Sequence, residues 1–276
     1  MMASDSAPTL PQLINQYREL TDGVINFELY NQVVHTHHST VIEGSTLTLA
    51  ETQTLIDKGL TAGGKPLADH LMVLDHQHIQ AQVLAWAAAR EPLNRTRLQE
   101  MAAGVMRQTG GPPHTLLGSF DSSKGEFRSV SAMAGSRMFM DARKVTAAVD
   151  LLLKEINTAL PDLKTIRQVY DFSFQAHYQL LSIHPFGDGN GRTSRLLMNY
   201  IQHYHKLPLS LVYAQDRTNY INALEQSRRD ESTQPITEFM HGQLLKFLKD
   251  EISQLSEQQK PVIKPPTHKG GLTMFF

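Results

Sequence analysis

Apolar residues return at three- and four-residue spacing along most of this chain, the period of helices with one buried face. Leu13, Ile14, Tyr17 and Leu20 set that period within residues 10–38, which reads as one helical stretch. A second helix is predicted to start near Thr48, with Glu51 three residues on, the spacing of a capping box. The glycines and proline of "TAGGKPL" end it. A long helix follows through 67–90 and another around 94–108.

From "TGGPPHTLLGSF" to "SRMFM" the periodicity lapses, and "GEFRSVSAMAGSRMF" holds the one hairpin pattern, with short strands around Ala134, Gly135 and Ser136. Helical spacing returns over 141–160 and 164–183, then over Asn190 to Lys206, 216–229 and 234–257. The tail "KPVIKPPTHKGG" reads as extended or mobile. There are no internal repeats. The fold class expected is all-α with one small β-hairpin. The division expected is an N-terminal extension over 1–24, one domain over 25–258 and a tail over 259–276.

Composition narrows the chemistry. With 41% apolar residues the chain can build a sizeable core. The formal net charge of -1 gives no general attraction to nucleic acid or to an anionic membrane, so an anion site would have to be local. The absence of cysteine excludes disulfides, thiolate metal sites and cysteine catalysis. "MMASDSAPTLPQL" lacks the basic and apolar regions of a secretory leader, and "AQVLAWAAA" is too short to span a bilayer. A soluble cytoplasmic protein is the expectation.

The densest chemistry lies in "HPFGDGNGRTSR", His184 to Arg195. A glycine-rich loop running into a helix presents unpaired N–H groups and the positive end of the dipole, which suits an anion. Gly187, Gly189 and Gly191 would let a phosphate approach the backbone, and Arg192 and Arg195 fall one turn apart on one face. Asp188 would repel phosphates unless a Mg²⁺ ion joined carboxylate to phosphate oxygens. His184 before the loop could take a proton from a nucleophile. An ordinary turn beside a histidine would explain fewer of these positions.

"HPFGDGNGRTSRLLMN" resembles the Fic motif, HPFx(D/E)GNGRxxR, at every specified position, and the resemblance runs over roughly 25–255. It implies a helical bundle with a β-hairpin flap, here about 128–138, which orients a target segment. The implied activity is AMPylation, the transfer of AMP from ATP to a Ser, Thr or Tyr hydroxyl of a protein, self-modification included. Carried onto this chain, His184 is the base and Asp188 the Mg²⁺ ligand. Gly189, Asn190 and Gly191 form the anion hole, Arg192 contacts the phosphates and Arg195 holds the γ-phosphate. Phe186 would anchor the loop in the core.

Upstream, Ser39, Glu43 and Gly44 fit the (S/T)xxxE(G/N) inhibitory motif of the same family, on a helix at about 28–44. The resemblance pairs Glu43 with Arg195, a carboxylate claiming the γ-phosphate clamp. Glu43 as a polar helix end with Gly44 just beyond it is the plain alternative. Close relatives often carry Asn after that glycine, where Ser45 stands here. Glu43 could also align a water for removal of AMP from a modified protein. From another class, the chain could be a nucleotide-binding regulatory module with masked catalysis. Arg217 and Tyr220 fall where the family borders its adenosine pocket, Arg228 stands where some relatives carry a nucleotide-contacting Asn, and Leu67 lies in a segment through which some relatives dimerise. The runs "HTHH" (His35, His37, His38) and "DHQH" (Asp75, His76, His78) read as solvated or helix-end groups, not metal sites.

Overall fold

The computed structural model describes residues 7–24, 27–112, 120–134 and 137–258. Its helices are α1 (Leu10–Thr21), α2 (Phe27–Ile42), α3 (Leu49–Lys58), α4 (Leu67–Ala88), α5 (Arg95–Val105), α6 (Ala142–Ala159), α7 (Ile166–Ile183), α8 (Asn190–Tyr204), α9 (Arg217–Arg229) and α10 (Gln234–Gln258). Between α5 and α6 stands an antiparallel hairpin, β1 (Met133–Ala134) with β2 (Arg137–Met138), Met133 facing Met138 in register. The tail over 259–276 lies outside the described residues.

Local chemistry fixes most boundaries. Thr48 and Glu51 form the reciprocal capping box at the start of α3, and Gly59 ends that helix in the left-handed region at φ 66. Thr165 and Gln168 make the same box on α7. One expectation is corrected: 10–38 is not a single helix. Asp22 turns to extended backbone and Gly23 to φ 72, conformations no α-helix continues through. The apolar period resumes beyond the break, so spacing did not reveal it. Leu13, Ile14 and Tyr17 are buried, and α1 packs against α10.

The middle of the bundle is α8. It lies against α7 and α4, and every residue from Arg192 to Gln202 is buried. A helix enclosed on all sides needs a partner for each polar group it carries inward. That demand decides the site. Among the described residues no helix is long and apolar enough to cross a membrane.

Candidate active site at the start of the central helix

The loop between α7 and α8 is shaped by its own residues. His184 closes α7 by donating its N–H to Leu180 O at 2.9 Å, in the left-handed region at φ 53 and ψ 60. For a non-glycine residue that conformation costs about 1–2 kcal/mol and must be held by contacts. Phe186 is buried, its ring 5.4 Å from Phe127 and its backbone bridged to the same residue. The Asn190 amide ties the loop, accepting from Phe186 N at 3.0 Å and donating to Phe186 O at 2.8 Å. A Cβ at Gly187 would enter the Phe120 ring.

Gly189 precedes α8 at φ 78, and the helix makes its first internal bond from Thr193 N to Gly189 O, 2.9 Å. The amides of Asn190, Gly191 and Arg192 come before that bond, so they have no acceptor within the helix. This is the anion-attracting end that the glycine spacing implied. An anion of the chain itself is already there. A Cβ at Gly191 would collide with Glu43 Oε1, so the Glu43 carboxylate rests on the first turn of α8.

Arg195 joins α8 to the end of α2. Its Nε donates to Ser39 Oγ at 2.9 Å, and its Nη2 to Ser39 O at 2.9 Å and Glu43 Oε1 at 2.7 Å. The arginine side chain is 4% accessible and the glutamate 30%. Burial alone would push the Glu43 carboxyl up. The charge and hydrogen bond of Arg195, with Arg192 and Arg217 behind, more than offset it and hold the group below its ordinary value. Gly44 follows the helix at φ 110, and Ser45, buried, folds back with its N–H on Thr40 O at 3.1 Å.

A cleft of about 260 Å³ opens here, lined by Glu43, His184, Gly191, Arg195 and Tyr220, with Phe139 and Arg217 among its other walls. Tyr220 is buried, its hydroxyl 2.8 Å from His177 Nε2, and burial pushes its pKa up to about 12. Arg217 donates through Nε to Ile42 O at 2.8 Å, fastening the end of α2. Arg228 pairs with Glu225 at the cleft wall.

Arg192 stands elsewhere. Its guanidinium donates to Val105 O at 2.8 Å and to Met106 Sδ at 2.9 Å. It thereby satisfies one of the last carbonyls of α5, groups that a helix cannot pair internally. Its backbone amide is at the anion-attracting end, and its Nη2 lies 3.8 Å from Asp188 Oδ1 in the loop before the helix. Asp188 is largely exposed, with Oδ1 accepting from Gly189 N at 2.5 Å. Among the described residues no three acidic or histidine side chains form a metal cluster. One open carboxylate fits an ion such as Mg²⁺ that takes its other ligands from phosphates and water.

The histidine runs are not the solvated groups expected. His35 and His76 are buried, and His37 and His38 are half-buried, because α2 and α4 face each other and the core; His78 alone of these is exposed. Burial holds His35 down at about 3 and His38 at about 4. His38 Nδ1 accepts from Ala214 N at 3.2 Å, and the Asp75 carboxylate binds Gln108 through N at 2.7 Å and Nε2 at 2.9 Å.

Two residues of the site gave no signal in the sequence. The Phe139 ring lies on the His184 imidazole, centroids 3.7 Å apart and planes within 16°. Arg128, 2% exposed, donates through Nε to His184 O at 2.7 Å. Both are separated from His184 by dozens of residues, and no local spacing links them.

Residues 92–202 match the model of the Fic/DOC family. The chain is 26% identical over 213 residues to a protein adenylyltransferase Fic of Culex quinquefasciatus, covering 77% of this chain and 40% of that protein. It is 29% identical over 204 residues to one of Nematostella vectensis, covering 70% of this chain and 42% of that protein. The chain thus spans about 40% of the length of these curated relatives. In fold it is similar to a Fic-domain-containing signaling protein of Bacteroides thetaiotaomicron, with TM-score 0.75, 22% identity, and coverage of 90% of this chain and 97% of that one. The match identifies a Fic domain of the Fic/DOC family in residues 92–202, and the helical architecture around it is similar to that of a Fic-domain-containing protein.

Proposed function

We propose that this chain transfers AMP from ATP to a hydroxyl of a protein, and that its own Glu43 restrains the reaction. The observation that carries the reading is the Glu43 carboxylate against Gly191 and Arg195, an internal anion at a helix N-terminus suited to phosphate. His184 borders the same cleft.

In the reaction, a target hydroxyl oxygen attacks the α-phosphorus as His184 takes the hydroxyl proton. The new P–O bond forms as the bond to the β-phosphate oxygen breaks, and pyrophosphate leaves. The amides of Asn190, Gly191 and Arg192 stabilise charge on the phosphates, and Arg195 holds the γ-phosphate once Glu43 has left it. Asp188 is the residue that would hold Mg²⁺, whose charge would offset that of the phosphates. With the clamp claimed by Glu43, the triphosphate is held loosely and its α-phosphorus is out of line. The target segment pairs with the hairpin β1–β2, beside the exposed Met133 and Met138, and serine, threonine or tyrosine supplies the hydroxyl.

A second reading rests on the same glutamate. Ionised and partly open to the cleft, Glu43 could orient a water that removes AMP from a modified protein. The exposed Leu67 and Leu60 would supply a self-association surface, which sedimentation velocity would test.

The deciding experiment incubates the full chain, its Glu43→Gly variant and its His184→Ala variant with α-labelled ATP and Mg²⁺. Label on protein, increased by Glu43→Gly and absent in His184→Ala, is the expected result. Release of AMP from a modified protein without labelling would favour the second reading. ATP binding with neither activity would leave only a regulatory module.

A further inference from the structure

The flap does more than border the cleft, because it grips the residue proposed as the base on both its ring and its backbone. Phe139 directly follows β2, and its N–H donates to Ala132 O at 3.0 Å, one step beyond the paired strands. Its ring then lies flat on the imidazole of His184, 3.7 Å between centroids and 16° between planes. At the root of the hairpin, the buried guanidinium of Arg128 collects carbonyls from both sides. It donates through Nη1 to Val130 O at 2.9 Å and through Nη2 to Met140 O. The same side chain reaches His184 O at 2.7 Å and Ile183 O at 3.4 Å, while the Arg128 N–H donates to Pro185 O at 2.9 Å. One arginine therefore closes the hairpin at its base and fastens it to the end of α7.

We infer that Phe139 and Arg128 are positioning residues for His184: Phe139 sets the plane of the imidazole, and Arg128 holds the left-handed backbone that aims it. The physical need is plain. A histidine ring turns about a broad, roughly two-fold torsion, and proton transfer requires one nitrogen within hydrogen-bond reach of the hydroxyl. A flat neighbour removes that freedom. Because the neighbour belongs to the hairpin, a chain that pairs with the hairpin and the ring that deprotonates it are set by one element. The inference rests on His184 acting as the base in AMP transfer.

The test uses the full chain carrying Glu43→Gly, with Phe139→Leu, Phe139→Tyr and Arg128→Lys added singly. Phe139→Leu keeps apolar volume and loses the ring. It is expected to lower the transfer rate about ten- to a hundredfold, with the Kd for ATP within about twofold, and Phe139→Tyr to restore the rate. Arg128→Lys, with too few donors for four carbonyls, should lower the rate in the same way; a thermal melt shows whether it folds. NMR of the His184 ring protons, assigned by their loss in His184→Ala, reads the stack without activity. In the parent they carry a ring-current shift that Phe139→Leu removes and Phe139→Tyr keeps. Equal transfer by the Leu and Phe forms overturns the inference, as do unmoved His184 resonances. Should Glu43→Gly transfer no AMP at all, the proposed reaction falls, and the NMR arm still decides whether Phe139 sets the ring.

Discussion

Replacing Glu43 by glutamine separates the charge of the internal anion from its shape. The amide is isosteric and can still accept from Arg195 Nη2, so the 2.7 Å contact survives while the charge is lost. Arg195 stays cationic, so its bond to the amide remains charge-assisted, and the lost anionic charge accounts for about 1–1.5 kcal/mol, roughly half of what the ion-paired hydrogen bond contributes. Arg195 is enclosed, which preserves that figure, while the partial exposure of Glu43 pulls it toward the lower end. Released by that amount, Arg195 should bind the γ-phosphate about five- to tenfold more tightly in Glu43→Gln, and up to about a hundredfold in Glu43→Gly. Isothermal titration of each form with ATP and Mg²⁺ reads these factors. The pH dependence supplies a second check. The folded pKa of Glu43 lies below its unfolded value, so its ionic contribution is full above the ordinary carboxylate range. It is lost as pH falls through the lower, folded value. The stability difference between parent and Glu43→Gln in urea melts should therefore close in acid. ATP affinities equal within twofold in all three forms would refute the reasoning.

The remaining expectations follow from single residues. His184→Ala should lower AMP transfer about 10²–10⁴-fold, with ATP affinity unchanged by titration. Gly189→Ala places a side chain at φ 78 with its Cβ 2.9 Å from Met106 Cγ, and should lower stability in a urea melt by about 1–2 kcal/mol. Glu251 on α10 is 6% exposed, and burial, with Asp250 adding, pushes its pKa up to about 7. A carboxyl raised by folding is a growing penalty as pH rises from its ordinary range to about 7. Glu251→Gln should therefore stabilise by about 1–3 kcal/mol above neutrality, and by nothing below the ordinary carboxylate range, in melts across pH.

Much of the architecture was legible from the chain. The helices from α3 to α10 lie within a few residues of their predicted spans, because caps such as Thr48 and glycines such as Gly59 act locally. The hairpin appeared where expected, at Met133–Ala134 and Arg137–Met138. The break at Gly23 did not show, because its flanking helices share one apolar period. The histidines of α2 and α4 were misread because burial depends on which helix faces which, and that is not written in adjacent residues.

By itself the sequence determined the loop-to-helix junction. Glycines that alone tolerate the Phe120 ring, φ 78 and the Glu43 carboxylate can be recognised from their spacing, as can a histidine before them and arginines after. Resemblance added Glu43 as a partner for Arg195, and the two meet at 2.7 Å. Only the tertiary structure decided how the arginines divide. Arg192 turns away to the end of α5, because a helix leaves its last carbonyls unpaired and this one ends beside α8. Only packing, too, laid Phe139 on His184 and threaded Arg128 beneath it. Those contacts join segments dozens of residues apart, and side chains at that distance become neighbours only when the helices between them have folded.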